Sequence, residues 1–306
     1  MRLAAVSVDL DEIACYAAIH GLPPPTGAAA RAVYEKALAR FARLFESEGI
    51  PATFFAIGAD LDAENGARLA ALKRAGHEIA NHTLSHRYDL TRLDRAAIRR
   101  EIEGGADAIE RAVGERPVGF RAPGYTITDL VFEVLGEIGA RYDSSVFPCP
   151  AYYGAKALAI AAIRARGRRS RSIVDDPRVL SAPADPYRTG TPYWRRGGGV
   201  VELPIGVTRG ARLPYIGTSI VLAGERGARL LTRAIAGRPL VNLELHGIDL
   251  ADADEDGLAF LAPHQVDLRR SARAKEAALR AALSELRARG YRFVTLREAA
   301  EALVGP

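Results

Sequence analysis

Apolar and polar positions follow two rhythms along this chain, and the rhythms take turns. A short apolar run, Leu3–Val8, opens the chain and ends on Asp9. From Ala28 to Glu48 the apolar residues recur every three to four positions, the period of a helix packed on one side. Gly49 breaks that stretch before a second strand-like run, Ala52–Ile57. A helix is predicted from about Ala63 to Ala75, with Gly76 placed to end it, and then a strand over His77–Ala80. Helix Arg95–Val113, strand Val118–Phe120 and helix Asp129–Gly139 continue the series. Strands near Val200–Leu203 and Leu240–Leu245 follow, then a helix over Leu268–Arg289, strand Arg292–Val294 and a short last helix. Leu279, Leu283 and Leu286 form a helical stripe of the kind that packs into a core. Repeated strand–helix units predict an α/β fold with a parallel sheet or barrel. In such barrels chemistry gathers at the C-terminal ends of the strands.

Between residues 150 and 200 the rhythm lapses. Arg164, Arg166, Arg168, Arg169 and Arg171 crowd into eight positions. Pro183, Pro186, Pro192, Trp194 and Gly197 to Gly199 follow. The expectation is an irregular insertion, serving as a binding loop or as solvated surface.

Candidate chemistry sits at the ends of the predicted strands. Asp9 and Asp11 close the first run, and strand residues two apart share a face at roughly 6.5 Å. His82 and His86 follow the third strand, at a spacing that one helical turn or a tight loop brings together. Asp, His and His form a ligand set for a catalytic divalent ion, with a coordination position left open. The carboxylate left over is what a hydrolase needs as a base. Two further strings end strands: Phe120-Arg121-Ala122-Pro123-Gly124-Tyr125, and Leu243-Glu244-Leu245-His246. Alternation puts Asn242 and Glu244 on the face of His246, so Glu244 is a candidate to orient that imidazole. His20, His77 and His264 have no partner at useful spacing.

Composition narrows the partners. With 306 residues the chain is long enough for one large α/β domain or two small ones, and residues 1–306 are expected to form a single catalytic domain. Net charge is +5 and 26% of residues are charged, with both signs spread along the chain. No aromatic-and-basic ladder points to nucleic acid. Cys15 and Cys149 form no CxxC pattern and no disulfide framework. No signal peptide is expected at the N-terminus, and no apolar stretch reaches a membrane-spanning length. A cytoplasmic protein is expected, at most touching the inner face of a membrane.

Taken in order, these strings resemble the polysaccharide deacetylase family, the NodB-homology carbohydrate esterases. The Asp9/Asp11 pair, His82-Thr83-Leu84-Ser85-His86, Arg121 to Tyr125 and Leu243 to His246 carry the resemblance. Tyr142-Asp143-Ser144-Ser145-Val146-Phe147-Pro148 looks like a further family region. The common family form has adjacent aspartates, whereas here Leu10 separates them. That spacing is similar to the branch that deformylates lipid-linked aminoarabinose.

The resemblance implies a distorted (β/α) barrel of about seven parallel strands. It implies a metal on Asp11, His82 and His86, with Zn²⁺ first and Co²⁺, Mn²⁺, Ni²⁺ or Fe²⁺ as alternatives. It makes Asp9 the base, with Arg121 beside it, and His246 the acid. A backbone N–H near Tyr125 would hold the oxyanion. Pro123, Asp143 and Trp194 would face the substrate, and Asp143 is a further candidate to orient His246. The implied reaction removes an acetyl or formyl group from an amino sugar, free, lipid-linked or part of an envelope glycan precursor. The arginine run would then meet a phosphate or an anionic headgroup. A metal amidohydrolase acting on a small non-sugar amide and a non-catalytic carbohydrate-binding relative are the alternatives.

Overall fold

In the computed structural model, which describes residues 2–174 and 176–304, nine strands form one sheet. They are β1 (Leu3–Asp9), β2 (Thr53–Ala56), β3 (Glu78–Asn81), β4 (Gly119–Phe120) and β5 (Tyr142–Asp143), then β6 (Tyr187–Thr189), β7 (Arg196–Glu202), β8 (Leu240–His246) and β9 (Arg292–Val294). Their order across the sheet is β6-β7-β5-β4-β3-β2-β1-β8, and β9 pairs with β1. Along this path β1 to β5, β7 and β8 are the seven parallel strands expected, and β6 alone runs antiparallel. The sheet curls into an open barrel. Among the described strands β7 and β8 do not pair; the chain between them fills the gap, with Gly206 N–H donating to Asn242 O (2.9 Å) and Ile216 bridging to Glu244.

Among the described residues nine α-helices join these strands: α1 (Ile13–Ile19), α2 (Leu38–Glu48), α3 (Ala63–Arg74), α4 (Arg95–Val113), α5 (Asp129–Glu137), α6 (Pro150–Ala165), α7 (Gly217–Ile235), α8 (Ala272–Ala288) and α9 (Leu296–Val304). None of the described helices is long and apolar enough to cross a membrane.

Strand alternation sorts β1 into two faces. Ala4, Val6 and Val8 join the cluster packed against helices that includes Phe41, Leu279 and Leu283. Leu3 and Ala5 point inward with Phe55, Tyr142, Leu203 and Leu240. Further up the same inward face come Ser7 and Asp9, so apolar filling gives way to polar groups toward the C-terminal rim.

Three expectations need correction. The helix drawn over Ala28–Glu48 is regular only in α2; before it stand a tight turn at Gly27–Arg31 and a wide one at Val33–Ala37. The cause is Glu12, whose buried carboxylate accepts from Val33 N–H (3.1 Å) and Tyr34 N–H (3.0 Å) as well as capping α1. The helix expected from Leu268 begins at Ala272, where Ser271 caps it. Residues 150–200 are not an irregular insertion. They contain α6, a tight turn at Pro177–Ser181 and the β6–β7 hairpin. Pro150 at the first turn and an Ala-rich run make α6 a good helix. It was hidden because its outer face is apolar, so the two-sided period is missing.

Candidate metal centre and catalytic site

The site is built at the C-terminal ends of β1, β3, β4 and β8. Asp9 is the last residue of β1, and Asp11 stands just beyond it. His82 follows β3, and a loop rather than a helix brings His86 back to it, with ring centroids 4.9 Å apart. The loop is wound tightly. Asn81 Oδ1 accepts from Thr83 N–H (3.0 Å), and Thr83 Oγ1 accepts from His86 N–H (3.0 Å). Thr83 (φ 69) and His86 (φ 52) are left-handed. Three of the four such non-glycine residues among those described lie at this rim, Tyr125 (φ 60) being the third. Strain of this kind collects where surrounding structure must fix a functional group. Gly105 of α4 lets the loop approach, since a Cβ there would stand 2.4 Å from Asn81 Oδ1.

Asp11, His82 and His86 converge. Asp11 Oδ1 lies 3.3 Å from His82 Nε2, and Asp11 Oδ2 lies 3.2 Å from His86 Nε2. His82 Nδ1 donates to the Arg121 carbonyl (2.7 Å), which turns Nε2 toward the cluster. Asp11 Oδ1 and His86 Nε2 are buried with no hydrogen-bond partner among the described residues. One donor atom from each of the three residues lies within 4.8 Å of the others. Orphaned, buried N and O donors of this kind fit a divalent ion. Burial would raise Asp11, but His86 and His82 beside it hold its carboxyl well below the usual carboxylate range. Glu12 is no competing ligand, because three backbone N–H groups already occupy it.

Asp9 sits next to this cluster and is held differently. Arg121 Nη1 donates to Asp9 Oδ1 (2.6 Å), while Asp9 Oδ2 stays 3.8 Å from His82 Nε2. Arg121 is fully buried. It is also tied to Ser144 O (2.8 Å), Ser7 Oγ (2.9 Å) and Ser144 Oγ (2.9 Å). Asp9, Glu244 and His246 form a second compact set. His246 Nδ1 lies 2.9 Å from Glu244 Oε1, and Tyr125 Oη lies 3.4 Å from His246 Nε2. Burial works against charge on His246, yet Glu244 first and Asp9 next raise it well above the usual histidine range. The Asp249 carboxylate accepts the His246 backbone N–H (2.8 Å).

The remaining expectations divide. Asp143 does not reach His246 or a ligand. It is fully buried, and its oxygens accept from Ser145 N–H and Ser145 Oγ, both at 2.8 Å. Strand register sets it beside Glu202, also fully buried, and burial followed by this neighbour pushes Glu202 well above its ordinary value. Glu244, not Asp143, is the carboxylate that reaches the His246 ring. Tyr125 N–H donates to Ala122 O (3.1 Å) within the loop where the oxyanion donor is expected. Pro123 is buried and sets the turn of that loop. Trp194 lines a separate surface cleft with Thr128, Asp129, Arg178 and Pro192, away from the ligand set. His20 pairs with Gln265 (2.9 Å), His77 Nδ1 accepts from Ala52 N–H (3.1 Å), and His264 rests against His20. Ser7, Ser144, Glu202 and Asp249 were missed as site residues. For Ser7 the signal was present, two positions before Asp9 on one strand face.

Glu244→Gln gives a direct check on the His246 assignment. Removing the carboxylate that raises the imidazole makes it lose its proton at lower pH. The alkaline limb of kcat/KM should then move down the pH scale. A limb that stays in place in the pH–rate profile would release Glu244 from this role.

An open parallel barrel thus carries a candidate metal-ligand set beside a carboxylate–imidazole pair on one rim. Comparison with known proteins narrows what it can be. Residues 30–142 match the family described as polysaccharide deacetylase. A peptidoglycan deacetylase of Helicobacter pylori is 25% identical over 149 residues, 47% of this chain and 49% of that protein. A peptidoglycan-N-acetylglucosamine deacetylase of Bacillus cereus is 38% identical over 88 residues, 29% of this chain and 40% of that protein. The chain thus spans about half or less of the length of these curated relatives.

Two solved structures share the fold. A Mycobacterium smegmatis protein assigned to the polysaccharide deacetylases superposes with a TM-score of 0.61 at 21% identity, covering 99% of this chain and 91% of that one. A family 4 acetyl xylan esterase of Clostridium thermocellum, in complex with a cobalt ion, gives 0.51 at 16% identity, covering 99% and 92%. Residues 30–142 thus resemble the polysaccharide deacetylase family, and the fold of the whole chain is the one these two structures share.

Proposed function

We propose that this protein is a metal-dependent hydrolase that removes an N-acyl group, acetyl before formyl, from an amino sugar, with the described chain acting as one catalytic unit. The observation that carries the reading is the pairing of two chemistries on one rim. A ligand set (Asp11, His82, His86) lies beside a base and an acid (Asp9, His246). The names of the relatives, both peptidoglycan deacetylases, support an envelope glycan or its precursor as substrate. The Asp9-Leu10-Asp11 spacing supports the lipid-linked form of such a precursor at the inner face of a membrane.

A divalent ion held by Asp11, His82 and His86 would supply a Lewis acid beside the scissile carbonyl. Zn²⁺ fits this N/O set first, and Co²⁺, Mn²⁺, Ni²⁺ and Fe²⁺ can share it. Asp9, oriented by Arg121, takes the proton of the attacking water. His246, steadied by Glu244, gives a proton to the departing amine. Water and amide thereby become carboxylate and amine. A non-catalytic relative has no need of a complete base, acid and ligand set, so this arrangement counts against that alternative.

The test is acyl release from N-acetylglucosamine oligomers and from lipid-linked N-acetyl and N-formyl amino sugars. Chelation should abolish it and added Zn²⁺ or Co²⁺ should restore it. Full turnover by exhaustively demetallated protein would overturn the metal requirement. Release from simple aryl amides alone would move the substrate outside the sugars.

A further inference from the structure

The rim carries a helix that the chemistry above does not use. α6 has sixteen residues, and Tyr153 is its one buried residue. Its inner side is made by Tyr152, Tyr153, Lys156, Ile160 and Ile163, at helical spacing. The outer side exposes alanines around Leu158, which is 73% accessible. The helix contains no acid, and Lys156, its one charge before Arg164, turns inward to the Gly124 carbonyl (2.9 Å). A surface helix of a globular protein ordinarily shows charge to water and apolar groups to the core. Here the solvent side is the apolar one.

The arginine run follows directly. Arg164, Arg166, Arg169 and Arg171 are exposed and Arg168 is half-buried. None of the five forms an ion pair among the described residues. The run is also fixed in place. Arg171 N–H donates to Ala18 O (3.2 Å) in α1, the helix that follows Asp11. At the other end of α6, the Tyr152 ring meets that of Tyr125 at 5.6 Å. Apolar helix and unpaired cations therefore flank the mouth of the same site.

We propose that α6 and the arginine run dock the catalytic end of the barrel on an anionic bilayer surface. An apolar helix face with basic residues beside it is the pattern of an interfacial helix. Alanines with one leucine bury little in lipid, so attachment depends on the anionic charge that the guanidinium groups meet. The advantage of docking rests on the amino-sugar reading above: the site would face sugars held at the headgroup layer. The binding itself can be measured apart from that reading.

The experiment is co-sedimentation of the full chain with vesicles of phosphatidylglycerol and phosphatidylcholine, or of phosphatidylcholine alone. Wild type should bind the anionic vesicles, ignore the neutral ones and come off as salt rises. Replacing Arg164, Arg166, Arg169 and Arg171 together by Gln, and separately Leu158→Glu, should each weaken binding about tenfold or more. Turnover of a soluble N-acyl amino sugar should be unchanged in both. Equal binding by wild type and variants, or binding to neither lipid, would overturn the proposal. So would dimerisation abolished by Leu158→Glu without vesicle binding, or a raised KM for a soluble sugar phosphate without a change in vesicle binding. Turnover without vesicle binding removes docking and leaves the hydrolase; vesicle binding without turnover does the reverse.

Discussion

Asp9→Asn is expected to keep near-stoichiometric metal and to lose turnover by roughly 10²-fold or more, the usual weight of a general base. Two carboxylates stand within one loop of each other, and the geometry separates their tasks. Asp11 reaches both histidines, at 3.3 and 3.2 Å. Asp9 gives one oxygen to Arg121 at 2.6 Å, and its other stays 3.8 Å from His82. Asp11→Asn removes the one charged ligand of a three-residue set, so metal affinity should fall steeply. Metal content by mass spectrometry, read beside turnover, decides between them. If Asp9→Asn is the metal-free variant and Asp11→Asn the loaded but inactive one, the roles are exchanged. If both variants keep metal, the ligand set itself is wrong, and Glu12 offers no replacement because backbone N–H groups fill it.

The residues of this site could be found in the sequence because each ends a strand. The apolar run Leu3–Val8 announces a strand, Asp9 at its end announces the rim, and His82 and His86 declare themselves by spacing. What that spacing does not carry is the turn between them, where left-handed Thr83 and His86 replace the helical turn that i and i+4 suggests. Nor does it carry register. Asp143 was a reasonable partner for His246 until the pairing of β5 with β7 set it against Glu202. Glu244 could be proposed because it shares a strand with His246, and alternation within one strand is local information. The helices α6 and α7 escaped for separate physical reasons. α6 turns an apolar side outward, which removes the amphipathic signal. α7 is interrupted at Gly224 (φ 64), so neither half shows a full period.

Arg121→Met should lower stability by about 3–5 kcal/mol, because it leaves a carboxylate buried without its cation. Arg121 is fully buried and makes four side-chain hydrogen bonds, to Asp9, Ser7, Ser144 O and Ser144 Oγ. Its guanidinium also lies over the Phe55 ring, 4.1 Å from the centroid. Urea unfolding of metal-free protein isolates this effect from metal-linked stability. Asp9→Asn in the Arg121→Met background should recover part of the loss, since the remaining buried charge is gone. Arg121→Lys should fall between, with a charge for Asp9 but no planar fork for the serines.

The order of stability, wild type above the double variant above Arg121→Met, is the signature of a buried ion pair. A loss under about 1 kcal/mol for Arg121→Met would mean that the pair contributes little and that the serines alone hold the rim. The prediction also bears on function. The proposed base is the carboxylate that the barrel buries against a cation, and the Arg121 carbonyl orients His82 of the proposed ligand set. A Met at 121 keeps that carbonyl, so metal content should survive where turnover does not.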